Sequence, residues 1–212
     1  MEILKNTDLI LNLMDNSISN WHKIDGKEPD LNKLPIRRKF NEKSEFLLKV
    51  LEILEANYNL WHLEDLARDK TATDNIIAEV KRRIDKENQL RNDRIEQLDI
   101  LIDMYLKKNR INPNTNISNS ETIGSIIDRL TILSLKIYHM FEQTLRKDVV
   151  ETHIENCKNR LNILKIQRDD LAQALKILID EILTGKKRHK IYYQFKMYND
   201  PNLNPVLYRK NG

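Results

Sequence analysis

The fold of this chain is decided by a long polar helical pattern, VKRRIDKENQLRNDRIEQLD at residues 80–99. On either side of its centre, apolar residues recur three and four positions apart, which places them on one face of an α-helix. The centre of that face has Glu87, Asn88 and Arg91, where packing alone would favour apolar side chains. The apolar seam is therefore interrupted by polar residues for about two turns.

The rest of the chain predicts an all-α protein, a bundle of about five long, mostly antiparallel helices. Its 212 residues include only 4 Gly and 5 Pro, too few for a turn-rich β fold. The apolar stripes predict that the second helix packs beside the third, and the fourth beside the fifth. The expected helices cover about residues 7–23, 41–67, 74–108, 120–147 and 149–183, capped by Thr7, Thr73 and Ser120.

Three parts are expected along the chain. Residues 1–40 form an N-terminal helix and a loop that packs on the body, and residues 41–185 form the helical bundle. Residues 186–212 form a basic and aromatic tail, which begins with KKRHK. Within the tail, DPNLNPVLY at residues 200–208 is expected to be extended, because its two prolines interrupt regular helix.

Charge and composition exclude several classes of function. The net charge of +4 arises from 36 basic and 32 acidic residues, so no broad basic face is expected and nucleic acid is not the expected partner. The single cysteine, Cys157, excludes an intrachain disulfide framework and a cysteine-based zinc site. Residues 1–16 lack a basic leader, and no apolar run approaches the roughly 20 residues of a membrane span. The expected location is cytoplasmic.

One candidate site is rich in carboxylates. Glu64 and Asp65 lie on the second helix, and Glu96-x-x-Asp99 lies on the third. Two neighbouring helices with such pairs can hold Mg²⁺ with water, as all-α nucleotide pyrophosphohydrolases do. Glu96 and Asp99 are then metal ligands, with Glu64 and Asp65 as metal ligands or general bases, although Arg68 replaces one of the expected carboxylates. A solvated, charge-paired helix surface is the other interpretation.

The second candidate site is basic and rich in amides. Arginine forks bind phosphates and carboxylates through two parallel hydrogen bonds, and asparagine adds directional bonds. The predicted ligand-binding residues are Trp61, Asn88, Arg91, Asn92, Asp128, Arg129 and Lys136. The alternative is a set of internal ion pairs, such as Arg91 with Glu87 or Asp128, that fixes helix register.

The histidines His62 and His139 are also metal-ligating candidates. No H-x-x-x-H or H-E-x-x-H motif contains them, so a packing or capping role is favoured. The sequence does not decide whether the protein is an enzyme.

Four long motifs occur in order between about residues 41 and 208: NLWHLEDLARD, VKRRIDKENQLRNDRIEQLD, SETIGSIIDRLTILSLKIYHM and QFKMYNDPNLNP. Together they resemble the bacterial family called domain of unknown function 4254. The pieces L-W-x-x-E-D and G-x-I-I-D-R-L-T-I-L-x-L-K are also similar to domain of unknown function 6165. Both resemblances imply a place near the glycosyltransferases that build surface polysaccharide, and neither supplies catalytic roles.

These observations lead to one expected function and two alternatives. The expected function is binding of a small anionic ligand, such as a sugar nucleotide, in the polar seam during bacterial surface-polysaccharide assembly. The first alternative is a helical adaptor that docks a glycosyltransferase, or its own copy in a homodimer, and binds no ligand. The second is the Mg²⁺-dependent pyrophosphohydrolase described above.

Overall fold

The computed structural model describes residues 5–23, 42–195, 197 and 200–209, and these form an all-α bundle, as predicted. Its helices are α1 (Thr7–His22), α2 (Glu42–Leu66), α3 (Asp74–Lys108), α4 (Ile123–Thr144), α5 (Glu151–Leu183) and the single-turn α6 (Pro205–Tyr208). The described residues include no β-strand, and one isolated bridge pairs Ser118 with Arg188. None of these helices combines the length and the apolar character that crossing a membrane requires.

The five long helices begin close to their predicted starts. Thr73 occupies the predicted cap position of α3, although its side chain makes no capping hydrogen bond there, and the other two predicted caps are corrected. The side chain of Asn6, and not that of Thr7, caps α1 by accepting a hydrogen bond from the Leu9 N–H at 3.0 Å. Thr122, and not Ser120, caps α4 by accepting from the Ser125 N–H at 3.0 Å. The corrections move the cap by one residue in α1 and by two in α4, because several Asn, Ser and Thr residues compete for each cap.

The helices α2 and α3 form an antiparallel hairpin. Leu60 and Leu63 near the end of α2 pack against Val80 and Ile84 near the start of α3. At the other end of the pair, Lys49 donates to Gln97 Oε1 at 2.8 Å. As predicted, α2 packs mainly on α3 and α4 packs mainly on α5.

A polar layer separates two apolar cores. The large core draws side chains from all five long helices, including Ile10, Leu54, Leu98, Ile127 and Leu175, each fully buried. The small core is the group between α2 and α3 just described. Between the buried Ile84 and Leu98, residues 85–97 of α3 are half-buried or exposed, so the polar interruption in the sequence marks a real boundary.

The segments after α5 return along the bundle. Gly185 follows α5 with φ 73°, a left-handed conformation that favours glycine, and its carbonyl accepts from Asn114 N–H at 2.9 Å. The expectation of an extended segment at residues 200–208 is wrong: residues 201–203 form a turn, in which the Leu203 N–H donates to the Asp200 carbonyl at 3.1 Å, and a helical turn follows. Pro205 is the first residue of α6, a position at which the N–H of any residue lacks a partner within the helix, so proline loses no hydrogen bond. The loop predicted at 25–41 lies outside the described residues.

Candidate functional site

The interrupted seam is occupied by an ion pair between α3 and α4. Arg91 Nε donates to Asp128 Oδ1 at 2.7 Å, and Arg91 Nη2 donates to Asp128 Oδ2 at 2.5 Å. The Asp128 side chain is 6% exposed and that of Arg91 is 26% exposed. These hydrogen bonds raise the pKa of Arg91, so its charge is permanent.

Two further side chains complete the hydrogen bonding of Asp128. Asn57 on α2 donates through Nδ2 to Asp128 Oδ1 and to Thr131 Oγ1, each at 2.8 Å. The Thr131 hydroxyl donates to the Asp128 carbonyl at 2.7 Å. Asn57 and Thr131 are both buried. Asp128 therefore joins α2, α3 and α4 at one point, and its buried carboxylate is fully paired.

A cleft of about 370 Å³ opens beside this ion pair, and we call it the polar cleft. Its walls come from α2, α3 and α4, and they combine one indole, two guanidinium groups, two carboxylates and two amides with three apolar residues. The lining residues are Asn57, Leu60, Trp61, Glu64, Asp65, Arg68, Asn88, Arg91, Ile132 and Leu135. The cleft therefore contains five of the predicted site residues, namely Trp61, Glu64, Asp65, Asn88 and Arg91.

The charges at the mouth of the polar cleft are only weakly fixed. Arg68 Nη1 donates to Glu64 Oε2 at 2.6 Å, within a pair whose side chains are 69% and 46% exposed. Such exposed pairs contribute about 0–1 kcal/mol. An incoming anion can therefore replace the Glu64 carboxylate at Arg68 with little cost.

Arg129 and Lys136 lie in a different cleft, of about 590 Å³, between α4 and α5. This outer cleft is lined by Arg129, Ile132, Leu133, Lys136, Gln167, Asp170, Leu171 and Ala174. Arg129 is directed toward Glu121, at 3.8 Å between Nη1 and Oε2. The predicted anion-binding set is therefore divided over two clefts that share Ile132. The half-buried Asn92 lines neither of them.

Glu96 and Asp99 are not brought together with Glu64 and Asp65. They lie where α3 passes the first half of α2, about three turns from the end that has the other two carboxylates. Glu96 Oε1 accepts from the Gln194 N–H at 2.6 Å. Asp99 Oδ1 accepts from the Gly124 N–H at 2.8 Å, and burial raises the pKa of Asp99. The structure thus gives Asp99 a role in joining α3 to α4.

Comparison with known proteins identifies a family. The model of the family described as a protein of unknown function, DUF4254, matches residues 49–191, which is more than half of the chain. The chain belongs to the DUF4254 family. No curated protein and no solved structure matches it. The resemblance to DUF4254 is confirmed, and the similarity to domain of unknown function 6165 stays a prediction.

The matched region of this DUF4254 protein contains the polar cleft, the Arg91–Asp128 pair and the lining residues of the outer cleft. It excludes α1, which begins the chain and contributes to the large core. In this DUF4254 protein, α1 is fixed to α5 by Arg168, whose Nη1 donates to Asp15 Oδ1 at 2.7 Å. Arg168, whose side chain is 14% exposed, thus has a structural partner.

The sequence reasoning named His62 and His139 as metal-ligating candidates, but it did not include His22 or predict that the three histidines meet. His62 on α2 and His139 on α4 meet His22, the last residue of α1, and one ring nitrogen of each lies within 4.8 Å of the others. Among the histidine, cysteine and acidic side chains in the described part of this DUF4254 protein, these three histidines are the group of three or more whose geometry could hold a metal ion. No spacing motif could have revealed it, because its members come from three helices. We call it the histidine cluster.

Proposed function

We propose that this DUF4254 protein binds a small ligand with both an anionic group and sugar hydroxyls, such as a sugar nucleotide, in the polar cleft. We place this activity in the bacterial cytoplasm, in the assembly of surface polysaccharide. The observation that carries the proposal is Arg91, which Asp128 holds in a fixed orientation at the wall of a cleft beside Trp61. A guanidinium that is fixed before the ligand arrives loses little side-chain freedom on binding.

The arginines suit the anionic part of such a ligand. Arg91 uses Nε and Nη2 on Asp128, and its Nη1 donates to no atom of the described residues. This free edge can donate to a phosphate or carboxylate oxygen, and Arg68 can leave Glu64 to add a second contact. Because Asp128 already balances Arg91, the cleft favours a ligand of modest charge, and binding should weaken with added salt.

The other lining residues suit the neutral part. Carboxylates accept hydrogen bonds from hydroxyl groups, so Glu64 and Asp65 fit sugar hydroxyls. Asn88 can both donate and accept, and Trp61 offers a flat face to a base or a sugar ring. A bare phosphate would use the arginines alone and leave these groups without a role. If the bound ligand reacts, Glu64 and Asp65 are our proposed general bases.

The biological setting rests on the family resemblance. The resemblance implies that members occur near glycosyltransferases that build surface polysaccharide, and sugar nucleotides are the donors that such enzymes use. A protein that binds such a donor would serve that process as a carrier, a sensor or an enzyme. A glycosyltransferase is then the proposed partner.

Isothermal titration calorimetry tests the proposal directly. The panel comprises nucleoside diphosphates, sugar nucleotides, sugar phosphates and inorganic phosphate. We expect a sugar nucleotide to bind, and Asn88→Ala to weaken it about tenfold, which corresponds to about 1.4 kcal/mol for one lost hydrogen bond. The matched control is Arg129→Ala in the outer cleft, which should leave the affinity unchanged. Binding that needs Arg129 and ignores Asn88 would refute the assignment to the polar cleft.

A second candidate function, a helical adaptor, is favoured by the outer face of α5. Ile163, Ile166 and Ile177 are 55%, 61% and 49% exposed, and their spacing places them on one side of the helix. Such a row suits docking of another protein or of a second copy. Light scattering of the wild type and of Ile166→Glu tests this candidate. Only an adaptor that self-associates through this face would be a dimer in the wild type and lose that dimer in the variant.

A further inference from the structure

The histidine cluster has a feature that ring packing does not explain. Nε2 of His22, of His62 and of His139 is buried and has no hydrogen-bond partner among the described residues. A buried ring nitrogen normally finds a partner, because leaving it without one forfeits its hydration. Here three such nitrogens occur in side chains that converge on one point.

The other ring nitrogens show which tautomer is present. His22 Nδ1 lies 2.8 Å from the Ile18 carbonyl oxygen, which can only accept, so Nδ1 must have the proton. His139 Nδ1 lies 2.9 Å from Glu142 Oε2 and donates to it in the same way. In the neutral form of either ring, Nε2 is therefore the unprotonated nitrogen, and its lone pair is directed away from the partner of Nδ1. Histidines that bind a metal through one ring nitrogen usually donate from the other to a carboxylate or a backbone carbonyl in this manner.

The rings are held in place by aromatic neighbours. Trp61 stacks on His139, with ring centroids 4.6 Å apart and planes inclined by 9°. Tyr138 stacks on His22 with centroids 4.2 Å apart. Burial, and then the charges of the neighbouring histidines, lower the pKa of His62, and burial lowers that of His139 although Glu142 raises it. The neutral imidazole, which is the ligating form, is thereby favoured.

We propose that His22, His62 and His139 form a binding site for a divalent first-row transition metal, with zinc as its representative. Around tetrahedral zinc, with bonds of about 2.0–2.1 Å, ligand nitrogens lie about 3.4 Å apart. The observed limit of 4.8 Å therefore needs only small side-chain rotations to close. Imidazole ligands suit zinc, copper and nickel, whereas Mg²⁺ takes oxygen ligands.

Three protein ligands leave a fourth position on the metal. Zinc sites with this arrangement bind water or a substrate group there. Trp61 belongs both to the stack on His139 and to the wall of the polar cleft, so the two sites share a side chain. The metal site does not depend on the proposed sugar-nucleotide binding, since the metal alone is its probe.

The test is metal binding by the full-length protein after treatment with a chelator. Zn²⁺ is titrated by calorimetry, and Co²⁺ is added separately, because tetrahedral cobalt has intense visible absorption bands. We expect one ion per chain, and a higher melting temperature with Zn²⁺. Lack of Zn²⁺ and Co²⁺ binding by the wild type would overturn the proposal.

Four variants locate the site. We expect His62→Ala and His139→Ala to abolish binding, with folding checked by circular dichroism. Glu142→Gln keeps all three ligands but loses the carboxylate partner of His139, and it should weaken the affinity for zinc about 10- to 100-fold. The matched control is His153→Ala, because His153 Nε2 lies 3.4 Å from Cys157 Sγ and offers an alternative metal pair. Loss of binding in His153→Ala, or wild-type affinity in both Glu142→Gln and His62→Ala, would overturn the assignment.

Discussion

Removal of the Asp128 carboxylate is expected to destabilise the protein more than removal of any exposed charge. In Asp128→Ala, Arg91 keeps a permanent charge at a site where its side chain is only 26% exposed, and Asn57 loses one of its two acceptors. Removing one partner of a buried ion pair lowers the free energy of unfolding by about 3–5 kcal/mol. Because Arg91 retains some contact with water, we expect a loss near the lower limit, about 3 kcal/mol in the free energy of unfolding, measured by urea denaturation.

Two further variants make this prediction specific. Glu64→Ala breaks the exposed pair with Arg68 and should change stability by less than about 1 kcal/mol. The double variant Arg91→Leu/Asp128→Leu removes both charges together, so it should recover most of the stability lost in Asp128→Ala. The reasoning is refuted if Asp128→Ala loses no more stability than Glu64→Ala, or if the double variant is less stable than Asp128→Ala.

The remaining predictions concern stability and are measured by the urea midpoint. Gly124→Ala should destabilise the protein by about 1–3 kcal/mol, because a Cβ there would lie 2.8 Å from the Ile95 carbonyl oxygen and 2.9 Å from Asp99 Oδ2; an unchanged midpoint would contradict this close packing. Thr122→Ala should cost about 1 kcal/mol through loss of the α4 cap, whereas Thr122→Ser should retain it. Gly185→Ala should cost about 1 kcal/mol because φ is 73°, and a stabilised variant would contradict the left-handed assignment.

The fold was predictable because the local signals agree with one another. The 3–4 spacing of apolar residues gives the helices, and the observed α3, Asp74–Lys108, has the predicted bounds. The interruption at Glu87–Arg91 was also visible, because charged residues rarely occupy a core face without partners. The sequence further indicated Asp128 as a partner of Arg91, and the structure pairs them.

The division of the predicted site into two clefts was not predictable from spacing alone. Successive residues of a helix are about 100° apart, so Arg129 faces a different direction from Asp128. Lys136 lies seven positions after Arg129 and therefore shares its face, toward α5. Only the packing of α4 between its neighbours shows which face meets α3 and which meets α5.

The meeting of the three histidines could not be predicted from the sequence, for a related reason. Its members are distant in sequence and each belongs to a different helix, so no local pattern connects them. Their meeting point depends on how α1 crosses α2 and α4. The partners of His22 and His139, Ile18 and Glu142, lie four and three positions away on the same helices, but such spacing is common and became informative only with the three rings in place.

The measurement that tests the account most directly is calorimetric titration of sugar nucleotides into the wild type and into Arg91→Leu/Asp128→Leu. The double variant removes the fixed guanidinium from the polar cleft and, by the argument above, stays folded. Our account predicts that a sugar nucleotide binds the wild type and that the folded double variant has lost this affinity. If no member of the panel binds the wild type, or if the double variant binds equally well, the polar seam only fixes helix register and the account is contradicted.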